Sequence, residues 1–337
     1  ISIYLLNGQS LYIILLSVVI PFITISAIFS SLLRGFDRFK DFNIFTILKP
    51  LFFFIFVFIF LIINDGNILS AIIGQISAVI VGGIWLIVKI KNIIPFNIAF
   101  HYDIFLENIK YGLKHHIMKI VLMFMVTAPI YILKILTSAE IVGQYSIILS
   151  LLGLVSFVKV SISLVLTPKA ASLNDVDLHK FVAKISRNTF YITLFSALFM
   201  IFFGSFYILL LYGDEFDYAS KAFVWFLPGV IFHSVSIMLH RDFIVRKNPD
   251  LYKPIIAYTV GAIISICLSY VLICNSLDRP LEAFAVAYNF AYFSSLMILV
   301  VMFIFDTNIK FNDLFILKFS DLQSYRNVLL KFKNRNN

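Results

Sequence analysis

The chain alternates long apolar blocks with short polar breaks. Nine blocks approach about twenty residues, which at the helical rise is enough to cross the hydrocarbon core of a bilayer. The weakest is 44–63, because Lys49 and Pro50 shorten its purely apolar part. We therefore predict an all-α polytopic membrane bundle with spans at 11–33, 44–63, 68–90, 115–136, 143–167, 188–212, 221–240, 254–274 and 281–305.

Composition points to the same class of protein. The 337 residues are 61% apolar and only 13% charged, and the mean hydropathy is +0.97. A soluble domain carries about twice that share of charge. The apolar blocks also lack the strict alternation of a membrane β-barrel. Cys267 and Cys274 lie in one apolar block at a spacing that fits no metal or redox motif, so we expect ordinary lipid-facing or core side chains.

Basic residues are distributed unevenly among the predicted loops. Of the 27 Lys and Arg residues, 22 fall in the loops after the odd-numbered spans and in the carboxy-terminal tail. The opposite side carries only Lys134, Lys221 and Arg279. By the positive-inside rule the Lys-rich side is cytoplasmic, so residue 1 lies outside and the tail inside. The net charge of +9 therefore needs no nucleic acid to explain it, and no nucleic-acid-binding motif is present.

Lys159 is the charged residue that the sequence places deepest in a span. It precedes Pro168, the predicted end of the fifth span, by nine residues. That spacing places it ~13 Å inside, near the middle of a bilayer core. A charge at that depth costs about 2.5 kcal/mol or more and normally faces a wet cavity or a partner. No acid lies deep in a predicted span, so we expect the counter-charge to come from additional helices, a bound anion or a substrate.

Lys159 lies on a face of small and hydroxylated residues. We interpret this face as the lining of a cavity in which the lysine holds an anionic ligand. The alternative is a packed interface between two helices, with the lysine stretching toward the nearer surface. At about 100° per residue the face covers a wedge of about 120°, which comprises Gly153, Ser156, Lys159, Ser163 and Thr167.

Three other basic side chains are candidates for the same cavity. Lys119 lies ~6 Å inside the fourth span, where snorkelling to the interface is an equal alternative. His233 lies ~12 Å from Arg241 along the seventh span. It either bonds to a neighbouring helix or helps to bind phosphate or to carry a proton. Asn289, a polar residue in the last span, is expected to hydrogen-bond between helices.

Motifs of enzymes are missing from the sequence. It contains no metal-ligand spacing, no Gly-rich phosphate loop and no Ser nucleophile elbow. We therefore predict a protein that is not an enzyme and that has no catalytic residue, no metal and no cofactor.

Several segments occur in an order that is typical of one family. SSLLRGFDRFKDFNI follows the first span, IKYGLKHHIMK leads into the fourth, and LVLTPKAASL closes the fifth. The most specific are VGQYS at Val142–Ser146 and YGDEFDYAS, followed by LPG, within Tyr212–Gly229. Over residues 11–305 the chain resembles the polysaccharide-export flippases of the Wzx type, within the multidrug/oligosaccharidyl-lipid/polysaccharide superfamily.

The resemblance implies two six-helix bundles around a central cavity that opens to either side in turn. Residues 1–110 would form the rear of the first bundle, about three helices, and a cytoplasmic linker. Residues 111–305 would form the second bundle. Residues 306–337 would be a basic amphipathic tail on the inner leaflet, or alternatively a disordered one. About three helices would precede residue 1.

The implied substrate is an oligosaccharide on undecaprenyl pyrophosphate, carried across the bacterial cell membrane for the assembly of a surface polysaccharide such as O-antigen. Membrane lipids, and the polysaccharide polymerase and glycosyltransferases of the same pathway, are the implied partners. Cationic cavity residues would hold the pyrophosphate, and the candidates are Lys159, Lys119, His233, Arg241, Ser156 and Ser163.

One position departs from the family, and two alternative functions stay open. Many relatives carry an Asp about fourteen residues before the Gly of the VG-x-YS motif, where this chain has Pro129, so no coupling role of that Asp is carried over. The first alternative is a lipid II flippase or a multidrug extruder of the same superfamily, although an extruder should have a deep carboxylate. The second is a membrane enzyme of cell-envelope sugar polymerisation, which generally needs a larger outer loop or an acidic motif.

The charge asymmetry predicts which single cysteines are accessible from outside the cell. In a background with Cys267 and Cys274 replaced by Ser, Arg279→Cys should react with a membrane-impermeant maleimide in intact cells. Lys247→Cys should react only after permeabilisation, because its loop lies on the Lys-rich side. The opposite labelling pattern would contradict the predicted orientation.

Overall fold

A computed structural model describes residues 10–63, 68–91, 93, 101–318 and 321 of the protein. All regular structure within these residues is helical. A 3₁₀ turn at Asp214–Phe216 precedes the seventh helix. The helices are α1 (Ser10–Gly35), α2 (Phe39–Ile63), α3 (Ile68–Lys91), α4 (Tyr102–Leu136), α5 (Ala139–Ala171), α6 (Asp175–Tyr212), α7 (Asp217–Val245), α8 (Tyr252–Asn275), α9 (Pro280–Thr307) and the short α10 (Phe311–Phe315).

Eight helices in the described part of the chain are long and apolar enough to cross a membrane, judged by length and composition. Within α1, the segment Val19–Gly35 is apolar but shorter than a full span. The predicted all-α polytopic bundle is confirmed, and the protein is an integral membrane protein.

Two helices run well past the predicted ends of their spans. α4 begins at Tyr102 and α6 at Asp175, whereas the apolar pattern predicts spans from 115 and 188. Asn174 caps α6 by accepting the Asp177 N–H at 2.9 Å. Two acidic residues in the first turn interact favourably with the positive end of the helix dipole. The apolar pattern predicts only the membrane-crossing part, because a helix continues into water wherever nothing breaks it.

The chain forms two compact units, Ile1–His101 and Tyr102–Asn337. In its described residues the first unit contains α1 to α3, and its core contains Leu33, Phe45, Leu86 and Ile90. The predicted domain boundary at residue 110 lies inside α4. The assignment of the two units to a partial first bundle and a complete second bundle stays a prediction.

The second unit contains α4 to α10. α7 packs on α5, α6 and α9, while α8 packs on α4 and α9. Two apolar clusters fill this bundle, one around Tyr145, Phe226 and Phe284 and the other around Val235 and Phe303. α7 contributes to both clusters and is therefore the central helix of the unit.

The two sequence motifs that carry the family resemblance meet at one end of this unit. Gln144 of VGQYS donates from Nε2 to the Glu215 carbonyl and accepts the Ala219 N–H at Oε1, both at 2.9 Å. Its amide therefore satisfies a backbone donor in the first turn of α7. Tyr218 donates to a Glu282 carboxylate oxygen at 2.6 Å. These bonds join α5, α7 and α9, so the motifs have a structural role here.

Ion pairs join the helices at the opposite end of the unit. Asp242 on α7 bonds to His179 on α6 and to Arg246, each at 2.7 Å. Arg246 also bonds to Asp306 on α9, which accepts from Lys253 on α8 at 2.6 Å. The network links α6, α7, α8 and α9 where the charged residues of the sequence accumulate.

The beginning of the predicted tail packs against α6. Arg187 donates to the Asp321 carboxylate at 2.7 Å and to the Asp313 carbonyl. The Tyr191 hydroxyl donates to the Phe315 carbonyl at 2.8 Å. Within the described residues, this part of the tail therefore docks on protein, whereas the sequence predicts an amphipathic segment on the leaflet. Residues 322–337, on which that prediction also rests, lie outside the described residues.

The docked segment has an internal ion pair of its own. Lys318 Nζ lies 2.5 Å from Asp313 Oδ1. The hydrogen bond from Lys318 holds the pKa of the Asp313 carboxyl below its usual range. Leu314, in the same segment, is fully buried in the larger apolar cluster of the unit. Apolar burial and charge pairing therefore hold the segment together.

Gly74 allows α2 and α3 to approach closely in the first unit. A Cβ at this position would lie 2.7 Å from both the Cα and the N of Val57. Because those are backbone atoms, Gly74→Ala should push the helices apart and lower the free energy of unfolding by about 1–3 kcal/mol. Gly83→Ala on the same helix would meet only Ser26 Oγ at 3.5 Å and is the control. Thermal unfolding of the purified protein measures both; equal midpoints for the two variants would contradict the close approach.

Candidate functional site

The ammonium of Lys159 is buried inside the second unit. The residue is 8% exposed, and its Nζ lies 2.7 Å from Nδ1 of His233 on α7. An ammonium has only donors, so Nδ1 accepts and the neutral imidazole carries its proton on Nε2. Among the residues that the structure describes, no carboxylate pairs with this ammonium. A neutral partner therefore holds the charge.

Aromatic side chains from α9 fix the orientation of the imidazole. The ring of Tyr292 stacks on His233 with centroids 4.4 Å apart. Tyr288 meets Tyr292 edge-on at 4.6 Å, and Phe226 meets Tyr288 at 5.5 Å. Because these rings pack against one another, His233 cannot turn away from Lys159 without disturbing the α7–α9 interface.

The predicted polar wedge of α5 is divided by the packing of the helix. The face that packs on α7 follows Ile148, Leu152, Val155 and Leu166. Lys159 and Ser163 fall on this buried face, while Ser156 is half-buried and Gly153 is exposed. The five residues therefore do not share one environment. The wedge is wider than the buried stripe, and the sequence alone does not show where that stripe is centred.

Lys159 lies further from the end of its helix than the sequence predicts. α5 continues to Ala171, so the lysine is twelve residues, or ~18 Å, from the end of its helix. Arg187 follows the start of the antiparallel α6 by the same number of residues, so the two side chains lie at about the same height. Arg187 holds the docked tail through Asp321. The docked tail therefore brings charged side chains to about the height of Lys159.

Lys119 and Arg241 form a second basic group at the end of the unit that carries the ion-pair network. Lys119 is exposed on α4 and Arg241 is half-buried on α7. Both lie close enough to His115 for their charges to act on its ring. Arg241 follows His233 by eight residues on one helix, a separation of ~12 Å. The predicted site residues thus form two groups along α7, one around Lys159 and one around Arg241.

This arrangement suits the binding of an anion better than catalysis. Lys159 and Arg241 provide N–H donors with positive charge, which match phosphate oxygens. Within the described residues, no group of three His, Cys, Asp or Glu side chains could hold a metal ion.

Two features of the site have weak or no signals in the sequence. Lys159 and His233 are 74 residues apart, and no spacing rule connects them. Tyr292 is not among the candidates from the sequence. Tyr288 and Tyr292 share one face of α9 at i, i+4 spacing, and each follows an alanine. This pair of tyrosines within an apolar span was the available signal.

Fold and site define a polytopic α-helical membrane protein with a buried cation and a second basic group at one end of the bundle. The sequence profile described as "Polysaccharide biosynthesis protein" matches residues 4–174. The match covers half of the chain, so the chain belongs to the polysaccharide biosynthesis protein family. No curated protein matches the chain significantly.

Among solved structures, the chain is similar to the lipid II flippase MurJ in its inward closed conformation. The TM-score is 0.56 at 19% sequence identity, with 87% of this chain and 62% of that chain covered. At this identity the similarity establishes a shared fold. The chain spans about three fifths of the length of that structure.

The pairing of Lys159 with His233 predicts that the two side chains are energetically coupled. His233→Leu leaves the buried ammonium without its partner and should destabilise the protein by about 1.5–3 kcal/mol. In a Lys159→Met background the same change should cost much less, because no charge then remains to be satisfied. The double-mutant cycle, measured by thermal unfolding, gives the coupling energy.

His116→Leu is the matched control for this cycle. His116 is exposed on α4, so its replacement should have the same small effect in both backgrounds. Equal costs of His233→Leu with and without Lys159 would show that the hydrogen bond contributes nothing.

Proposed function

We propose that the protein is a flippase that moves an oligosaccharide linked to undecaprenyl pyrophosphate from the inner to the outer leaflet of the bacterial cell membrane. One observation carries the proposal: the buried ammonium of Lys159 has a neutral hydrogen-bond partner. Membership of the polysaccharide biosynthesis family supports the substrate class. The fold shared with a lipid II flippase supports the transport of a lipid carrier.

The height of the two basic groups fits a substrate that starts in the inner leaflet. A lipid phosphate lies at the boundary between hydrocarbon and headgroups. Arg241 and Lys119 lie at the inner end of the unit, and Lys159 lies ~12 Å further in, at the height of His233. We infer that the pyrophosphate first meets Arg241 and Lys119 and then reaches Lys159. Ser156 and Ser163 flank Lys159 on α5 and supply hydroxyl donors.

Phosphate oxygens can replace the imidazole as partners of Lys159. A charge-assisted hydrogen bond is about twice as strong as a neutral one, so an incoming pyrophosphate competes successfully with His233. The lipid tail remains in the bilayer while the helical bundles rearrange around the headgroup. The protein makes and breaks no covalent bond in this process and is therefore not an enzyme.

Two alternatives use the same site. The fold similarity favours a lipid II flippase, whose substrate would present the same pyrophosphate to Lys159. A multidrug extruder is disfavoured because cation exchange needs a deep carboxylate, and in the described spans the acidic side chains lie near helix ends. Deletion of the gene separates the proposed function from that of a lipid II flippase. Loss of lipid II transport is lethal, whereas loss of surface-polysaccharide export leaves the lipid-linked oligosaccharide on the cytoplasmic side.

Substitution of Lys159 tests the proposed function. Lys159→Ala and Lys159→Gln should lower translocation about 10- to 100-fold, the effect of losing a charge-assisted bond of about 1.5–3 kcal/mol. Lys159→Glu should be worse because it repels the phosphate, and Lys159→Arg should retain part of the activity. Accumulation of lipid-linked oligosaccharide on the cytoplasmic side of complemented deletion cells is the measurement.

Lys169→Gln is the control, because Lys169 is an exposed lysine on the same helix. It should complement fully. Full activity of the Ala, Gln and Glu variants of Lys159 would exclude the proposed role of the ammonium.

A further inference from the structure

One side chain of α9 bonds to two backbone groups of α7. Asn289 accepts the Gly229 N–H at Oδ1, at 2.7 Å, and donates from Nδ2 to the Trp225 carbonyl at 2.8 Å. In a regular α-helix these two groups are partners, because each N–H bonds to the carbonyl four residues earlier. The carboxamide of Asn289 therefore bridges the donor and the acceptor of one helical hydrogen bond.

The bridged turn of α7 also lacks one backbone donor. Pro228 lies inside it and has no N–H, so the Val224 carbonyl has no helical partner. A cavity of about 430 Å³ opens at the same turn, lined by Val224, Trp225, Pro228, Val286, Asn289 and Phe290. Insertion of a side chain into a helical hydrogen-bond ladder next to proline is a known cause of helix bending.

Gly229 provides the space for the bridge. A Cβ at this position would lie 2.5 Å from the Tyr288 ring and 2.7 Å from Asn289 Oδ1. Only glycine lets the α9 amide approach the backbone of α7 this closely. The Pro228–Gly229 pair therefore has two local effects. The proline removes the helical donor to the Val224 carbonyl, and the glycine lets Asn289 bridge the next pair of backbone groups, the Trp225 carbonyl and the Gly229 N–H.

The bridge lies one helical turn from the Lys159–His233 pair. His233 follows Gly229 by four residues on α7, and Tyr292 follows Asn289 by three on α9. Tyr292 stacks on His233 at 4.4 Å. α9 therefore contacts α7 at the backbone through Asn289 and at the imidazole through Tyr292. A change in the bend at Pro228 would move His233 relative to Lys159 on α5.

We propose that Asn289 is a positioning residue, whose bridge across Trp225 and Gly229 sets the bend of α7 and so presents His233 Nδ1 to Lys159. The relevance of Asn289 to transport rests on the proposed function, whereas its effect on the Lys159–His233 hydrogen bond does not. An amide is required because the turn needs one acceptor and one donor from the same side chain. Leu supplies neither, whereas Gln keeps both on a longer arm.

Ring ¹⁵N signals of histidine test the positioning directly. The full chain, labelled at its six histidines and reconstituted in liposomes, is studied by solid-state NMR. The His233 signal is identified by its loss in His233→Gln. Lys159→Met is expected to abolish the signature of a hydrogen-bonded Nδ1, and Asn289→Leu should reproduce that change. Asn289→Gln should retain the wild-type signature at least in part.

Phe290→Leu is the matched control, since Phe290 is the exposed neighbour of Asn289 on α9 and should leave the His233 signal unchanged. If Asn289→Leu does not fold, the double variant Pro228→Ala/Asn289→Leu restores the missing N–H and lets α7 form a continuous ladder. It too should lose the His233 signature. A wild-type His233 signal in either leucine variant would overturn the proposal.

Transport measurements separate this proposal from the proposed function. Asn289→Leu should lower translocation, and in combination with Lys159→Gln it should cause no further loss, because it acts through the same pair. Additive losses would contradict the positioning role. If Lys159→Gln alone transports normally, the proposed function fails, while the NMR result still decides whether Asn289 positions His233.

Discussion

A bilayer offers no water to polar groups, and this constraint explains most of the second unit. Every buried donor or acceptor needs a partner from another helix or from its own backbone. Asn289 therefore bonds to the backbone of α7, and Lys159 bonds to His233. Gln144 satisfies the first turn of α7. Each of these bonds joins two helices, so the same contacts that satisfy polar groups also fix how the helices pack.

Apolar periodicity predicts the number and order of the helices because lipid-facing and buried residues are both apolar in a membrane protein. The same property hides which face of a helix is buried. On α5 the sequence shows a polar wedge, yet only Lys159 and Ser163 of that wedge lie on the packed face. The apolar pattern also places the end of α5 at Pro168, whereas the helix continues to Ala171.

Contacts over long sequence separations are the part that one sequence does not contain. Arg187 reads as an ordinary loop cation, and only the fold shows that it binds Asp321. Asn289 is predictable as an interhelical hydrogen-bonding residue, and it has that role, but its partners on α7 are not predictable. Pro228 and Gly229 together signal an irregular turn. The chemistry that completes this turn comes from another helix.

The motifs on which the family resemblance rests lie away from the candidate binding residues. VGQYS and YGDEFDYAS join α5 to α7 and the preceding turn through Gln144, far along the helices from Lys159. A helix terminus has backbone groups that few side chains can satisfy, and Gln144 satisfies such groups here. The candidate binding residues are instead single basic side chains distributed over α4, α5 and α7. Their pattern has no fixed spacing, which is why family motifs identify the fold more readily than the site.

Under the proposed function, Lys159 must exchange ligands, and a neutral partner suits such a cation. Two unit charges 4 Å apart attract by about 4 kcal/mol at the effective dielectric constant near a protein surface. A carboxylate on Lys159 would therefore hold it against an incoming phosphate and cancel the positive potential that attracts it. His233 satisfies one ammonium donor without cancelling the charge. The ammonium is thus kept from being an unsatisfied buried group, and it remains able to pair with an anion that is more strongly bound than imidazole.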